Sequence, residues 1–110
     1  MEYDKKEYEN LLKQVQSQLH LYKNNHSILV VNGVDLYSEY ARNKIAEELK
    51  AANWEIQSGH VAYLREDNTW YYNCWVIIKP GTKFTAQQVT ACLGPSYCNW
   101  KPTLAPTWKD

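Results

Sequence analysis

The side chains best suited to nucleophilic or metal chemistry are three cysteines and three histidines: Cys74, Cys92, Cys98, His20, His26 and His60. No two of them have the close spacing of a zinc-ligand pair, so their spacing predicts no metal site. A Cys–His nucleophilic pair between Cys74 and His60 is conceivable, because both lie on neighbouring predicted strands. However, Cys74 stands between Tyr72 and Val76, where a small buried and inert thiol is typical.

General acid–base catalysis requires a carboxylate in an apolar environment. No carboxylate is embedded in an apolar run, and the only ones on or beside predicted strands are Glu55, Glu66 and Asp67. The chain has four glycines and no glycine-rich loop that could hold a phosphate. The sequence therefore predicts no catalytic set and no cofactor, and a small enzyme with a Cys/His site is the least favoured class of function.

The aromatic residues are the main functional signal. The chain has nine Tyr, five Trp and one Phe, so most of its rings carry a polar group. Tyr71, Asn73 and Trp75 alternate along one face of a predicted strand. Two rings flanking an amide could hold a planar ligand, since stacking is worth about 1–3 kcal/mol per base. The alternative is that this row is core and that Asn73 bonds to backbone. Further candidates lie on the neighbouring segments: Tyr63, Tyr97 and Trp100.

Single-stranded nucleic acid is a second class of partner. RNA-recognition modules stack bases on aromatic side chains of a free sheet face. In the run from Ile28 to Gly33, however, Leu29 stands where a stacking ring is expected, and the strand that begins at Trp70 lacks a basic-glycine start. The formal net charge is zero, whereas phosphate contacts usually require a basic excess. A nucleic-acid partner is therefore disfavoured.

An amphipathic helix is predicted for the N-terminal segment, over residues 3–22. Apolar side chains recur there at spacings of four and three: Tyr8, Leu12, Val15, Leu19 and Tyr22. The stripe is expected to pack on its own domain. Alternatively it could form the seam of a homodimer, although two heptads are fewer than a coiled coil normally needs.

The remaining elements follow in the order β-α-β-β-α-β. Asp35 is the predicted N-cap of the second helix, a bulge is predicted at Ser58–Gly59, and Thr85 with Gln88 forms a capping box for the last helix. The predicted strands cover Ile28–Val31, 54–64, 69–79 and 96–101, with a polar hairpin loop at 65–68.

This order predicts an α+β fold with a ferredoxin-like βαββαβ antiparallel sheet and an extra N-terminal helix. The first and third strands are expected in the centre of the sheet, because they are the most apolar runs. The predicted organisation is one domain, 1–110, with the N-terminal helix at 1–23, the core at 27–102 and a tail at 103–110.

These features favour a small non-enzymatic binding protein that uses a Tyr/Trp-lined surface to hold a protein or a nucleotide-like ligand. Its size suits an inhibitor or sequestering protein of the kind found in phages and mobile elements. No apolar run approaches the length of a membrane span, and the first ten residues lack the apolar core of a signal peptide. Three cysteines without a C-x-x-C pair suit reduced thiols, so a cytoplasmic location is expected.

Overall fold

A computed structural model describes residues 2–24, 27–98 and 100–102, with the backbone alone for 21–24. The elements are α1 (Glu2–Asn24), β1 (Leu29–Asn32), a 3-10 turn (Val34–Leu36), α2 (Glu39–Ala51), β2 (Glu55–Leu64), β3 (Thr69–Ile78), α3 (Ala86–Leu93) and β4 (Lys101–Pro102). The described part of the chain thus has three α-helices and a four-stranded antiparallel sheet, which confirms an α+β fold. His26, the side chain of Tyr22 and the predicted tail 103–110 lie outside the description.

The strand order is β1-β3-β2-β4. Leu29–Asn32 pair with Cys74–Ile77, so the two most apolar runs lie side by side as predicted. The ferredoxin-like order is not confirmed, because β4 pairs with β2, at Gly59 and His60, whereas that order places the last strand beside the first. Consequently β3 is central and β1 is an edge strand, which corrects the prediction that both are central.

Two cores cover the two faces of the sheet. The first face, which carries Val31 and Trp75, packs against α1 and α2. The second face, which carries Val30 and Cys74, packs against α3. Successive side chains of a strand point to opposite faces, so a strand buried on both sides is apolar at every position. The run from Cys74 to Ile78 meets this condition and is fully buried.

Helix α1 explains why the second half of the chain departs from the ferredoxin-like order. Leu11 and Val15 of α1 are buried in the first core beside α2. With this face occupied, the last helix packs on the opposite face, where its Val89 is fully buried. Helix α1 also covers the outer edge of β1, where Gln18 Oε1 accepts a hydrogen bond from the Val30 N–H at 3.4 Å.

The apolar stripe of α1 is part of the chain's own core. Val15 is buried, and Tyr8, Leu12 and Leu19 pack against the same core. The hydroxyl of Tyr8 also donates to Glu48 of α2, at 2.8 Å. The predicted packing of the stripe on its own domain is therefore confirmed for these four residues, and the homodimer stays a prediction.

The helix ends follow local signals, with one exception. The capping box of Thr85 and Gln88 is present, and Gly94 ends α3. The N-cap of α2 is Ser38, whose side chain accepts from the Ala41 N–H, and not Asp35 as predicted. Asp35 lies in the 3-10 turn, where its Oδ1 accepts from the Asn73 N–H at 3.3 Å.

Strand β2 has no bulge at Gly59. It pairs with β3 without interruption from Glu55 to Leu64. Its apolar side chains change face because the covering layers change: Ile56 packs in the first core, whereas Val61 packs in the second. Gly59 serves a different purpose, since a Cβ there would overlap the indole of Trp100 and the carbonyl of Lys101. The glycine lets the segment before β4 lie directly on the strand.

Candidate functional site

The β2–β3 hairpin extends beyond the end of β1 as an arm, here defined as residues 62–71 and called the hairpin arm. It carries three of the exposed large apolar side chains: Leu64 at 50%, Trp70 at 49% and Tyr71 at 71% exposure. Ala62 lies opposite Tyr71 and Leu64 opposite Thr69, so Leu64 and Tyr71 share the first face. Trp70 points to the second face. Segment 96–98 pairs with the β2 side of the arm, where the Leu64 N–H donates to the Ser96 carbonyl and the Cys98 N–H donates to the Ala62 carbonyl, both at 2.8 Å. The arm therefore presents rings on both faces of the hairpin, and its open edge is that of β3.

The predicted row of Tyr71, Asn73 and Trp75 lies on one face, as expected, but its members differ in burial. Trp75 is fully buried in the first core, Asn73 is half-buried and Tyr71 is exposed. The inclusion of Trp75 in a ligand-stacking pair is therefore wrong, because helices cover that part of the face. Tyr71 alone of the row keeps a ring surface that a partner could contact.

The other three predicted residues belong to the second face, opposite that row. Tyr63 and Tyr97 face each other with ring centroids 5.0 Å apart and planes tilted by 60°. Trp100 is buried in the second core, and its Nε1 donates to the carbonyl of Cys74 at 3.2 Å. Tyr63 and Tyr97 therefore pack on each other, and Trp100 is part of the second core. The six candidate residues thus do not form one site.

Asn73 marks the point at which β1 has ended beside β3 and the hairpin arm begins. Its carbonyl accepts from the Gly33 N–H at 2.9 Å, and its N–H donates to Asp35. Gly33 turns the chain away with φ of 74°, a conformation that favours glycine. The backbone of Asn73 is therefore already satisfied on the side facing β1.

Beyond Asn73, β3 has an open edge. Alternate residues of a strand direct their N–H and C=O groups to the same side. The bonds of Asn73 to Gly33 and Asp35 thus show that Tyr71 and Thr69 direct theirs away from β2. The Thr69 N–H donates to Asn68 Oδ1. Since β1 ends opposite Cys74, no strand of the described residues pairs with β3 at these positions.

The conceivable nucleophilic pair of Cys74 and His60 does not form. His60 lies opposite Asn73 on the first face, whereas Cys74 belongs to the second core. Burial raises the pKa of the Cys74 thiol to about 12, which leaves it protonated and unreactive near neutrality. Within the described ranges, no group of three or more His, Cys, Asp or Glu side chains is placed to hold a metal ion.

We expect Cys74 to resist alkylation at pH 8 in the native protein and to react only after unfolding. Exposed Cys92 should be labelled in the native state, which makes it the matched control. Because an unfolded thiol loses its proton near its ordinary pKa of 9.0 and the folded one near 12, stability should fall as pH rises between these values. The fall is at most about 1.4 kcal/mol per pH unit. Mass spectrometry of labelled protein measures the first effect; labelling of native Cys74 would contradict the assignment.

Two shallow grooves border α3 on the second face. The larger encloses about 480 Å³ and the other about 460 Å³. The larger is lined by Gln57, Thr82, Lys83, Phe84, Ala86, Trp100 and Pro102. Trp100 directs its Nε1 away from this groove, to the carbonyl of Cys74. Neither groove contains any of the six candidate residues apart from Trp100 and Tyr97.

Sequence reasoning missed Trp70 and Leu64 as surface features. The sequence pattern places the run from Trp70 to Tyr72 in a central strand, although this run directly follows the hairpin loop. The lengths of the two strands could have indicated that this run is exposed. Strand β1 has four residues and β3 has ten, so β1 cannot cover the full length of β3. The part of β3 nearest the loop must therefore lie outside the main sheet.

The comparisons with known proteins give no match that indicates a function, so the functional conclusion is based on the geometry described above. Among the helices that the structure describes, none combines the length and the apolar character needed to cross a bilayer. No protein-family description matches the chain, and neither a curated protein nor a solved structure gives a significant match.

Proposed function

We propose that this chain is a non-enzymatic protein-binding domain whose contact surface is the hairpin arm. The observation that carries the proposal is the exposure of Trp70, Tyr71 and Leu64 on one hairpin. Tyr and Trp are the residue types that most often dominate the energy of protein interfaces. Exposed apolar side chains that cluster in one place are typical of interaction sites.

A protein partner fits the arm better than a nucleotide-like ligand. Holding a planar ligand between rings requires two rings that face one space, but Trp70 and Tyr71 are consecutive and point to opposite faces. The tilted pair of Tyr63 and Tyr97 is in contact and leaves no space for a base. A ribbon with rings on both sides instead suits a groove or cleft on another protein, which can contact both faces at once.

We expect Tyr71→Ser and Trp70→Ser each to weaken partner binding by about 30-fold or more, the effect of removing an interface anchor worth about 2 kcal/mol. Purified protein is immobilised, and partners are enriched from extracts of the cells that carry the gene. The affinity of each identified partner is then measured by calorimetry with wild type and variants.

Tyr3→Ser is the matched control, because Tyr3 is 67% exposed and lies far from the arm in sequence, on α1. The control should bind like wild type, and circular dichroism should be unchanged in all three variants. Retention of the same partner at equal affinity by both arm variants would refute the proposal. Loss of binding by Tyr3→Ser would place the contact on α1 instead.

A further inference from the structure

We infer that the open edge of β3 at Thr69–Tyr71 accepts an extended peptide segment with basic residues at its ends, from another protein, as an added β-strand. This inference rests on the proposed function and names the way in which the arm binds. Strand addition uses main-chain hydrogen bonds for affinity and side-chain contacts for specificity. The arm offers both kinds of contact along the same few residues.

The backbone geometry provides the position for this strand. Gly33 ends β1, and the 3-10 turn that follows stays beside Asn73 through the bond of Asp35, so an incoming segment would lie beyond this turn, further along β3. It would meet the N–H and C=O of Tyr71 and the C=O of Thr69. Between them, the exposed side chain of Trp70 points to the second face and that of Tyr71 to the first. Native edges are usually covered or charged, whereas this one carries two aromatic rings.

The charges at the two ends of this edge identify the partner as basic. Asp35 is exposed and lies at one end, bonded to Asn73. Glu66 and Asp67 are exposed in the loop at the other end. The one basic residue of that loop, Arg65, has its guanidinium carbon 5.6 Å from the ring centroid of Tyr63, which belongs to the second face. The edge is therefore acidic at both ends, and cationic side chains complement it.

The same charges argue against a second copy of this chain as the occupant. Antiparallel pairing of two such edges would place Thr69 of each copy opposite Tyr71 of the other. In that register the loop of one copy, which carries Glu66 and Asp67, comes to the end of the other copy's edge at Asn73, next to Asp35. Like charges so placed destabilise a cross-strand pair. A partner with lysine or arginine at these positions replaces this repulsion with attraction.

The test titrates the full chain with the acetylated and amidated peptide Lys-Val-Thr-Val-Lys, followed by amide hydrogen exchange and chemical shifts. Two matched peptides serve as controls: Glu-Val-Thr-Val-Glu, and the lysine peptide N-methylated at its three central residues. We expect the lysine peptide to slow exchange of the Tyr71 N–H and to bind about tenfold more tightly than the glutamate peptide, because two end contacts change sign. The N-methylated peptide should not bind.

Two variants distinguish the contribution of the Tyr71 backbone to peptide binding from that of its aromatic ring. Tyr71→Pro removes the edge N–H at a position that does not bond to β2, where proline is tolerated, and should abolish binding. Tyr71→Ala keeps the N–H and should retain protection of that amide, with weaker affinity. Peptide binding without protection of the Tyr71 amide, or no binding at all, would overturn the inference. Neither outcome would contradict the proposed function, which is tested separately by partner binding of the arm variants. Protection without peptide, increasing with protein concentration, would assign the edge to a second copy.

Discussion

Trp75→Ala is expected to destabilise the native state by about 3–5 kcal/mol, the usual cost of removing a large buried ring. Trp75 has no exposed surface and stands in the central strand beneath α1 and α2. The total stability of a small domain is about 5–15 kcal/mol, so this one change could leave the protein largely unfolded at 37 °C. Urea unfolding followed by circular dichroism measures the loss.

The control for this experiment is Tyr71→Ala, four residues earlier on the same face of the same strand. Its ring is mostly in water, so its removal should change stability by no more than about 0.5 kcal/mol. The pair of variants thus compares two rings that the sequence pattern treats alike. A small effect of Trp75→Ala would show that the first core does not enclose this side chain.

Gly59→Ala is expected to give the second large effect, a loss of about 1–3 kcal/mol or more from overpacking. The added methyl group would overlap the indole of Trp100 and the carbonyl of Lys101. Trp100 is buried and bonded to Cys74, so it cannot move aside without leaving the second core. We therefore expect the segment at Trp100–Pro102 to separate from β2, with greater exposure of an indole in the fluorescence spectrum.

A double-mutant cycle tests this explanation. Trp100→Ala removes the ring that the new methyl group would strike, so Gly59→Ala should cost less in that background. The expected coupling is about 1 kcal/mol or more, which is within the range for residues in contact. Part of the cost should remain, because the carbonyl of Lys101 is also close. Purely additive costs would show that the glycine is needed for a reason other than the approach of Trp100.

Local patterns predicted the elements of this fold well. The spacing of Leu12, Val15 and Leu19 predicted α1 and the face that it buries, and the capping box predicted the start of α3. The apolar runs of β1 and β3, which are far apart in sequence, also pair as predicted. These features depend on neighbouring residues and on the period of apolar side chains, which the sequence contains directly.

The strand order and the candidate site depended on information that is not local. Nothing near Ser96–Pro102 indicates that β4 joins β2; the choice follows from where α1 lies and from the small size of Gly59. The same is true of Trp75 and Tyr71, which share a pattern but differ in burial because α1 and α2 cover only part of the first face. Alternation predicts which face a ring joins and not whether another layer covers it.

The contact between Gln18 and Val30 gives α1 a protective role. A strand as apolar as β1, left with unpaired backbone on its outer side, is a template on which other chains can aggregate. Helix α1 packs on the first face beside this strand, and the side-chain amide of Gln18 reaches its outer edge to bond a backbone group that a foreign strand would need. We therefore expect α1, besides stabilising the fold, to hinder the association of separate molecules through the edge of β1.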